Sequence, residues 1–361
     1  MADTNFGVNH PLAVKLWSKM LFYESLKTTW AKKFMGTDSN SLCQILDDTK
    51  KDAGDQIRWG LRMQLTGAGI SGDNTLEGNE ENLVFQYDQV VIDQLRHATR
   101  SKGKMSEQRV PYEIREEGRQ GLTDWFADRS DTWFFNHLAG NTAETDARYY
   151  GFNAPVAPDA AHYTGANDAA TEASLSAGTA YILKLGDIDR VVAKAKTLTV
   201  PIRPIRINGG DYYALFLHPF QVYQLRRDTN TLQWADIQKA AMMGGQISSN
   251  PLFTGALGMY NGVVMHEAVR IPNIVNTPAS GGVTVHRRAV FAGAQALALA
   301  FGQNQSQNKM SWVEELYDYK NSLGVSAGII GGMKKAVFNT GAGGTAEDFA
   351  TIVIGSYAPA V

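Results

Sequence analysis

The stretch IRWGLRMQLTGAGISGDNTLEGNEENLVFQYDQVV, residues 57–91, is the most informative part of the sequence about the fold. It opens with strict alternation of apolar and polar side chains from Ile57 to Leu65, which predicts a β-strand with one apolar face. Alternation resumes at Leu83 and continues to Val91. The polar, glycine-rich segment between them has about seventeen residues, far more than the two to five of an ordinary hairpin loop. We therefore predict two long strands joined by a wide loop, a unit that we call the ribbon.

The loop contains Gly67, Gly69 and Gly72 in the spacing G-x-G-x-x-G, which is typical of dinucleotide-binding enzymes. That motif functions only where a helix begins at the glycines and directs its N-terminus at a pyrophosphate. The residues after Gly72 are turn-formers without helical periodicity, so no helix is expected there. We predict no cofactor, and a role in chain reversal at the ribbon tip for four glycines: Gly67, Gly69, Gly72 and Gly78.

Charges around the loop are sorted by sign. The loop holds four acidic residues and no basic one, and the segment that follows the ribbon is basic. We predict that the acidic tip of one copy contacts the basic segment of another. Two alternatives stay open: both sets are simply solvated, or the basic residues face nucleic acid phosphates. The residues concerned are Asp73, Glu77, Glu80 and Glu81 on the loop, and Arg96, Arg100, Lys102, Lys104 and Arg109 after it.

An isolated two-stranded ribbon is only marginally stable in water. Its apolar face needs a cover, which a neighbouring subunit would provide.

Composition excludes several classes of protein. The chain of 361 residues is 44% hydrophobic and 19% charged, with a net charge of −2, so no general basic excess indicates nucleic acid as the main partner. The single cysteine, Cys43, excludes an internal disulfide framework and a cysteine-based zinc site. No H-E-x-x-H, Walker or nucleophile-elbow motif occurs, and we predict neither a metal site nor an enzyme. No apolar run is long enough to span a membrane, and the N-terminus lacks the features of a signal peptide.

Helical periodicity appears on both sides of the ribbon. Residues 11–35 predict an amphipathic helix that docks either on its own domain or on a neighbouring copy. Residues 111–138 carry an aromatic stripe and predict a long core helix that stops at Gly140 and Asn141.

The later part of the chain alternates between strands and helices. Residues 141–180 lack a sustained period and predict either a long surface excursion or a poorly ordered insertion. Residues 187–199 predict a helix capped by Asp187. A buried strand then leads into a helix opened by Pro219, and residues 231–243 predict another helix. Asn261 and Gly262 predict a tight hairpin, and the C-terminal third predicts strands of a closing sheet. This order of elements indicates an α+β fold.

Three stretches carry a resemblance to a known family: NHPLAVKLWSKMLFYESLKTTW, the ribbon with its basic segment, and DRSDTWFFNHLAGNT. They resemble the major capsid proteins of tailed phages of the Hong Kong 97 type, specifically the group typified by the coat protein of the coliphage N-four. The resemblance implies an N-terminal arm (1–55), an extended loop (56–105) and a peripheral domain built on a spine helix (106–140). It also implies an axial domain (141–285) with a flexible excursion at 141–180, and C-terminal strands (286–361) that complete the peripheral domain.

The same resemblance implies a function. The expected protein forms hexamers and pentamers of an icosahedral shell around packaged double-stranded DNA, is located in the virion and is assembled in the host cytoplasm. A separate scaffolding protein, a portal and decoration proteins are the further expected partners. In the type member of this fold a loop lysine links neighbouring subunits covalently, but no lysine lies between Lys51 and Lys102 here, so we expect no such crosslink. The alternatives are a nanocompartment shell of the same fold and a soluble enzyme with a nucleotide-binding loop.

Overall fold

The computed structural model describes residues 24–25, 29–46, 55–65, 67–109, 113–207, 209–227, 256–276, 284–302, 310–340 and 344–360. The helices are α1 (Lys104–Gln108), α2 (Ile114–Ala139), α3 (Ala147–Tyr150), α4 (Leu185–Thr197) and α5 (Pro219–Arg227). The strands are β1 (Met35–Gly36), β2 (Cys43–Leu46), β3 (Gln56–Arg62), β4 (Phe85–Val91), β5 (Asp93–Arg100), β6 (Tyr163–Gly165), β7 (Ile205–Ile207), β8 (Gly210–Leu217), β9 (Ala256–Tyr260), β10 (Val263–Glu267), β11 (Asn273–Asn276), β12 (Thr284–Ala292), β13 (Leu297–Phe301), β14 (Met310–Tyr317), β15 (Ser322–Lys335), β16 (Val337–Phe338), β17 (Glu347–Asp348) and β18 (Thr351–Tyr357).

The first sheet is organised around the long strand β15. Strand β5 pairs with one edge of β15, and β14 and β13 pair in succession with the other edge. Strand β2 then runs parallel to β13, and β1 parallel to β2. Helix α2 packs against this sheet, and Phe134 and Leu138 of its aromatic stripe are fully buried in the core. We call α2 the spine helix.

The spine helix confirms the predicted core helix and its stop signal. It ends at Gly140, which has a left-handed conformation (φ 62°, ψ 48°) and donates its N–H to the carbonyl oxygen of His137. Glycine adopts this conformation without the steric cost that a Cβ atom imposes. The long aromatic stripe and the glycine stop are local signals, which explains why the sequence alone predicts them.

The second sheet has the order β6-β18-β12-β8-β10-β9, with β7 on β8 and β11 on β12. Strand β8 and helix α5 confirm the predicted strand followed by a helix opened by Pro219. Strands β9 and β10 confirm the predicted hairpin: Asn261 and Gly262 have φ values of 47° and 75°, as a two-residue turn of the primed type requires.

The C-terminal strands differ from the expectation of one closing sheet. Strands β12 and β18 belong to the second sheet, and β13, β14 and β15 belong to the first. The chain changes sheets between Ala292 and Leu297, passing Gly293, where a Cβ atom would lie 2.4 Å from the carbonyl oxygen of Arg203. Both β12 and β13 are almost wholly buried, so their composition does not reveal which sheet each joins. The domain boundaries given above remain predictions.

Residues 141–180 also differ from the expected surface excursion. They form short helical turns, and β6 within them pairs in parallel with β18. Leu175 is fully buried. The turns are held by side-chain caps such as Asp159, which accepts the N–H of His162 at 2.8 Å. Short capped turns have no sustained period, so the sequence pattern does not predict them.

Smaller corrections concern helix ends. Asp187 is not the N-cap of α4; it lies in the first turn and accepts the N–H of the true N-cap residue, Lys184, at 2.9 Å. Of the predicted helix at 11–35, Glu24 and Ser25 are helical, whereas Trp30–Phe34 forms a 3-10 turn. That turn docks on its own spine helix, since Asp131 accepts the N–H groups of Trp30 and Ala31. Residues 11–23 and the predicted helix at 231–243 lie outside the described residues.

Candidate assembly interface

The ribbon confirms the predicted pair of long strands. Strands β3 and β4 pair antiparallel from Gln56 opposite Val91 to Arg62 opposite Phe85. At its root, Ile57 (7% exposed) and Val90 (0%) pack on Ala298 and Ala300 of strand β13 in the first sheet. The root is therefore covered by its own chain.

Polar contacts fix the direction of the ribbon at the same place. The Asn153 side-chain amide donates to the carbonyl oxygen of Val91 and accepts its N–H, both at 2.9 Å. The buried carboxylate of Asp88 pairs with Lys334 and accepts the N–H of Val337 at 3.1 Å. These contacts attach β4 to the body of the subunit on both sides of Val90.

The register of the two strands decides which side chains the ribbon exposes. Residues directly opposite in an antiparallel pair share a face, and Tyr87 lies opposite Gly60 while Phe85 lies opposite Arg62. The aromatic side chains of β4 therefore lie on the face opposite to Ile57 and Trp59, where they are 69% (Tyr87) and 63% (Phe85) exposed. The uncovered apolar surface is thus formed by β4 and the distal part of the ribbon. The face of β3 that carries Ile57 and Trp59, which the sequence alternation predicts to be apolar, is not the uncovered one.

The tip glycines divide into two groups. Gly69, Gly72 and Gly78 have φ values of 71°, 68° and 87°, as predicted for chain reversal. Gly67 does not have a positive φ; instead its N–H donates to a carboxylate oxygen of Glu81 at 2.6 Å. A Cβ atom at Gly67 would lie 2.6 Å from that same oxygen, which belongs to the end of an exposed, flexible side chain that can move aside.

The four predicted acidic residues are all exposed on the loop. Two of them also brace the loop backbone: Glu81 accepts from Gly67, and Glu80 accepts the N–H of Gly78 at 2.8 Å. In the part of the chain that the structure describes, Asp73, Glu77 and Glu80 form no ion pair. The loop therefore presents a negative surface to the outside.

The predicted basic residues lie on and after strand β5. Arg100 donates to the hydroxyl of Ser322 at 3.0 Å, and its guanidinium lies 4.2 Å from the centre of the Tyr317 ring, a favourable cation–π distance. The others are exposed and, within the described residues, unpaired: Arg96, Lys102, Lys104 and Arg109. No described ion pair joins them to Asp73, Glu77 or Glu80 of the same chain.

A buried arginine that the sequence did not indicate connects the second sheet to the end of the spine helix. Arg288 on β12 donates to the carbonyl oxygens of Ala139 and Gly140, both at 2.7 Å, and pairs with the carboxylate of Glu172. A cation at the C-terminus of a helix is stabilised by the partial negative charge there. Arg287 and Arg288 just before the apolar run AVFA were the available signal, since a buried strand carries a charge only where it has a partner.

Several titratable groups are buried in the interior of the subunit. Burial lowers the pKa of His137 on the spine helix to about 4; its Nε2 donates to the carbonyl oxygen of Tyr150 at 2.6 Å. Burial also lowers the pKa of Lys335 and raises that of Asp348, which pair at 2.7 Å. Among the described residues, no group of His, Cys, Asp and Glu side chains is arranged to hold a metal ion. No helix in those residues is long and apolar enough to cross a membrane.

Two sheets, a spine helix and a projecting ribbon together form the fold of phage capsid subunits. The structure of the capsid of Ralstonia phage GP4 superposes with a TM-score of 0.80, at 31% identity and over 92% of each chain. The Cyanophage Pam1 capsid asymmetric unit gives a TM-score of 0.71 over 92% of this chain and 93% of that one, at 19% identity. By its fold, the molecule is a capsid subunit of the Hong Kong 97 type.

The sequence leads to the same family. The phage capsid protein family matches residues 5–360. The major capsid protein of Pseudomonas phage KPP25 is 32% identical over 377 residues, which cover 97% of this chain and 96% of that protein. The chain belongs to the phage capsid protein family. It is a structural protein that functions as the major capsid protein of a tailed phage, its copies form a shell, and its location is the capsid of the virion; none of these comparisons favours a nanocompartment.

Proposed function

We propose that the ribbon is the element that joins copies of this chain into the shell. Its acidic tip (Asp73, Glu77, Glu80 and Glu81) lies against the basic segment (Arg96, Arg100, Lys102, Lys104 and Arg109) of an adjacent copy. The observation that carries the proposal is that Asp73, Glu77 and Glu80 on the loop and Arg96, Lys102, Lys104 and Arg109 after it are exposed and form no ion pair within the described residues, together with the uncovered aromatic residues of β4. Complementary charges steer association and set its register, although each exposed pair contributes little alone.

In this proposal the copies form hexamers and pentamers that close around packaged double-stranded DNA, which is bound without sequence specificity. Many repeated contacts make the closed shell stable even where each is modest. The chain has no catalytic role. A separate scaffolding protein directs assembly, and a portal and decoration proteins complete the head; efficient formation of uniform shells from this chain alone would count against the scaffolding protein.

A charge-swap experiment tests the tip contact. The tip variant Asp73→Lys/Glu77→Lys and the basic-segment variant Arg96→Glu/Lys104→Glu change residues that brace no backbone group in the structure. We expect each to lower the yield of capsomers and shells, measured by sedimentation and negative-stain microscopy, and the combined variant to restore it. Lys196→Glu, on the exposed side of α4, is the matched control. Wild-type yield from the tip variant and also from the basic-segment variant would contradict the proposal.

The joint between subunits is non-covalent in this proposal. The loop between Lys51 and Lys102 contains no lysine whose amine could form an amide with a neighbour. Purified shells boiled in detergent should therefore run on a gel as one band of 39.5 kDa. A ladder of covalently linked subunits would refute this.

A further inference from the structure

A small cavity lies between the spine helix and the first sheet. Trp133 of the helix and Leu299 and Met333 of the sheet line it, together with Ser25 and Thr29 of the N-terminal segment. Its volume is about 20 Å³, more than the roughly 10–15 Å³ that one water molecule needs. Cavities with only apolar walls stay empty, but a charged side chain also lines this one. We call it the spine cavity.

The charged side chain is that of Arg129, which is 8% exposed. Its Nε and Nη1 atoms are buried and have no hydrogen-bond partner among the described residues. The guanidinium lies 5.1 Å from the centre of the Trp125 ring and 3.8 Å from that of Tyr149. Aromatic faces attract a cation, but they do not replace the hydrogen bonds that buried N–H groups normally form. The N–H groups of Arg129 therefore need an acceptor.

The carboxylates around Arg129 are committed elsewhere. Within the ranges that the structure describes, none of them forms an ion pair with Arg129. Asp128, its neighbour in sequence, pairs with Arg270. The charge of Asp146 acts on Arg129, but its carboxylate is bound to Arg148 at 2.6 Å. Because a charge removed from water is normally paired, a small anion is the partner that this site requires.

The lining favours a monatomic anion over an oxyanion. The hydroxyls of Ser25, Thr29 and Ser130 line the cavity, but each already donates to another protein atom. The strong donors are the N–H groups of one guanidinium, whereas a phosphate or sulfate needs donors for each of its oxygens. A halide ion has a single charge and no fixed acceptor direction, so these N–H groups and apolar walls are enough for it.

We propose that the spine cavity binds one halide ion, such as chloride, on the Nε–H and Nη1–H groups of Arg129. The ion balances the buried charge and accepts the two hydrogen bonds. Because the helix, the sheet and the N-terminal segment all line the cavity, bound halide should stabilise their packing. Only the folded subunit holds this arrangement, so binding raises its stability by mass action. All the groups belong to one chain, and the inference does not depend on the ribbon contact.

Thermal unfolding of the full-length, unassembled subunit tests the site. Replacing sodium gluconate by sodium chloride or bromide at equal ionic strength should raise the unfolding midpoint by about 2–4 °C, with saturation. Arg129→Met should abolish this shift. Arg96→Met, which removes an exposed arginine that forms no ion pair within the described residues, is the control and should keep it. Broadening of the chloride NMR line by the wild-type subunit, reversed by bromide, should report binding directly.

Ser130 supplies a second test that keeps Arg129 in place. Ser130→Asp puts a carboxylate into the same cavity and should abolish the halide shift, because the carboxylate occupies the same N–H groups. Ser130→Asn has the same shape without the charge and should keep the shift. This matched pair decides the question if Arg129→Met fails to fold.

Two results overturn the site. An equal midpoint in gluconate and chloride, with a chloride line that stays narrow, would mean that the cavity holds water only. An equal halide shift in wild type, Arg129→Met and Ser130→Asp would be a general effect of salt. Failure of the charge-swap variants at the ribbon tip would leave the halide site standing, because its readout is unfolding of the single subunit and not assembly.

Discussion

The spine helix and the ribbon are both long elements, yet they are stabilised in opposite ways. The spine buries Phe134, Phe135 and Leu138 almost completely within its own subunit. The ribbon is held only at its root, and its distal aromatic residues remain in contact with solvent. Since apolar burial is the main favourable term in folding, the spine contributes more than the ribbon to the stability of the single subunit, and in the proposed assembly the ribbon gains its stabilisation from a second copy.

This contrast in stabilisation is tested most directly by truncating one aromatic side chain in each region. Phe134→Ala should lower the free energy of unfolding of the unassembled subunit by about 3–5 kcal/mol, because it leaves a cavity in the core. Tyr87→Ala should change it by less than about 0.5 kcal/mol, because the ring is exposed. Denaturant unfolding measures both. A Tyr87→Ala cost similar to that of Phe134→Ala would mean that the ribbon is packed on its own subunit.

Acid should weaken the spine side through His137. The pKa of His137 is about 4 in the folded subunit and about 6.5 in the unfolded chain. At pH values between these two, the unfolded chain binds a proton that the folded subunit does not bind. This contribution to stability is fully present above pH 6.5 and is lost as the pH falls to about 4, about 3 kcal/mol in all.

Stability measured from pH 7 to pH 4 checks this. His137→Gln, whose amide can still donate to Tyr150, should reduce the slope of that part of the profile without removing it, because burial also lowers the pKa of His218 to about 4, whereas Tyr87→Ala should keep the wild-type slope. Equal slopes in wild type and His137→Gln would show that another group carries the pH dependence.

The root of the ribbon is the boundary between the two regions. Substitution of Asn153 tests where this boundary lies. Asn153→Ala leaves the N–H and the carbonyl of Val91 without their side-chain partner, which should cost about 2 kcal/mol in subunit stability. Asn153→Asp should cost at least as much as alanine while it is ionised, because its buried carboxylate faces the carbonyl oxygens of Val91 and Gly151 to which the amide now donates. Hydrogen exchange at Val91 should quicken in Asn153→Ala, which removes the acceptor of that N–H. Unchanged exchange in Asn153→Ala would place the boundary elsewhere.

The same comparison separates what the sequence could predict from what it could not. The spine helix, its stop at Gly140 and the Asn261–Gly262 turn depend on local signals, and the structure confirms them. The face on which Tyr87 lies depends on the register between β3 and β4, and the sheet that each C-terminal strand joins depends on contacts distant in sequence. Alternation within one strand carries neither piece of information.

The candidate site shows the same limit. The sequence located the acidic and basic groups and three tip glycines with positive φ. It did not distinguish Gly67, whose φ is not positive and whose N–H donates to Glu81 across the loop, and it did not indicate Arg288, whose partners are a helix end and Glu172. The contact between tip and basic segment remains a prediction, because it involves a second copy.

The smallest expected effects come from replacing one glycine by alanine in each of the two regions. Gly121 lies in the exposed interior of the spine helix with open space at its Cβ position, so Gly121→Ala should stabilise the unassembled subunit by about 0.5–1 kcal/mol through helix propensity. Gly69 also has open space, but its φ of 71° strains any L-residue, so Gly69→Ala should disfavour the tip conformation by about 1 kcal/mol. Because the tip lies outside the cooperative core, subunit unfolding should not register that cost, whereas assembly yield should. If Gly69→Ala instead lowered subunit stability by the full amount, the tip would be part of the folded core and the contrast between ribbon and spine would fail.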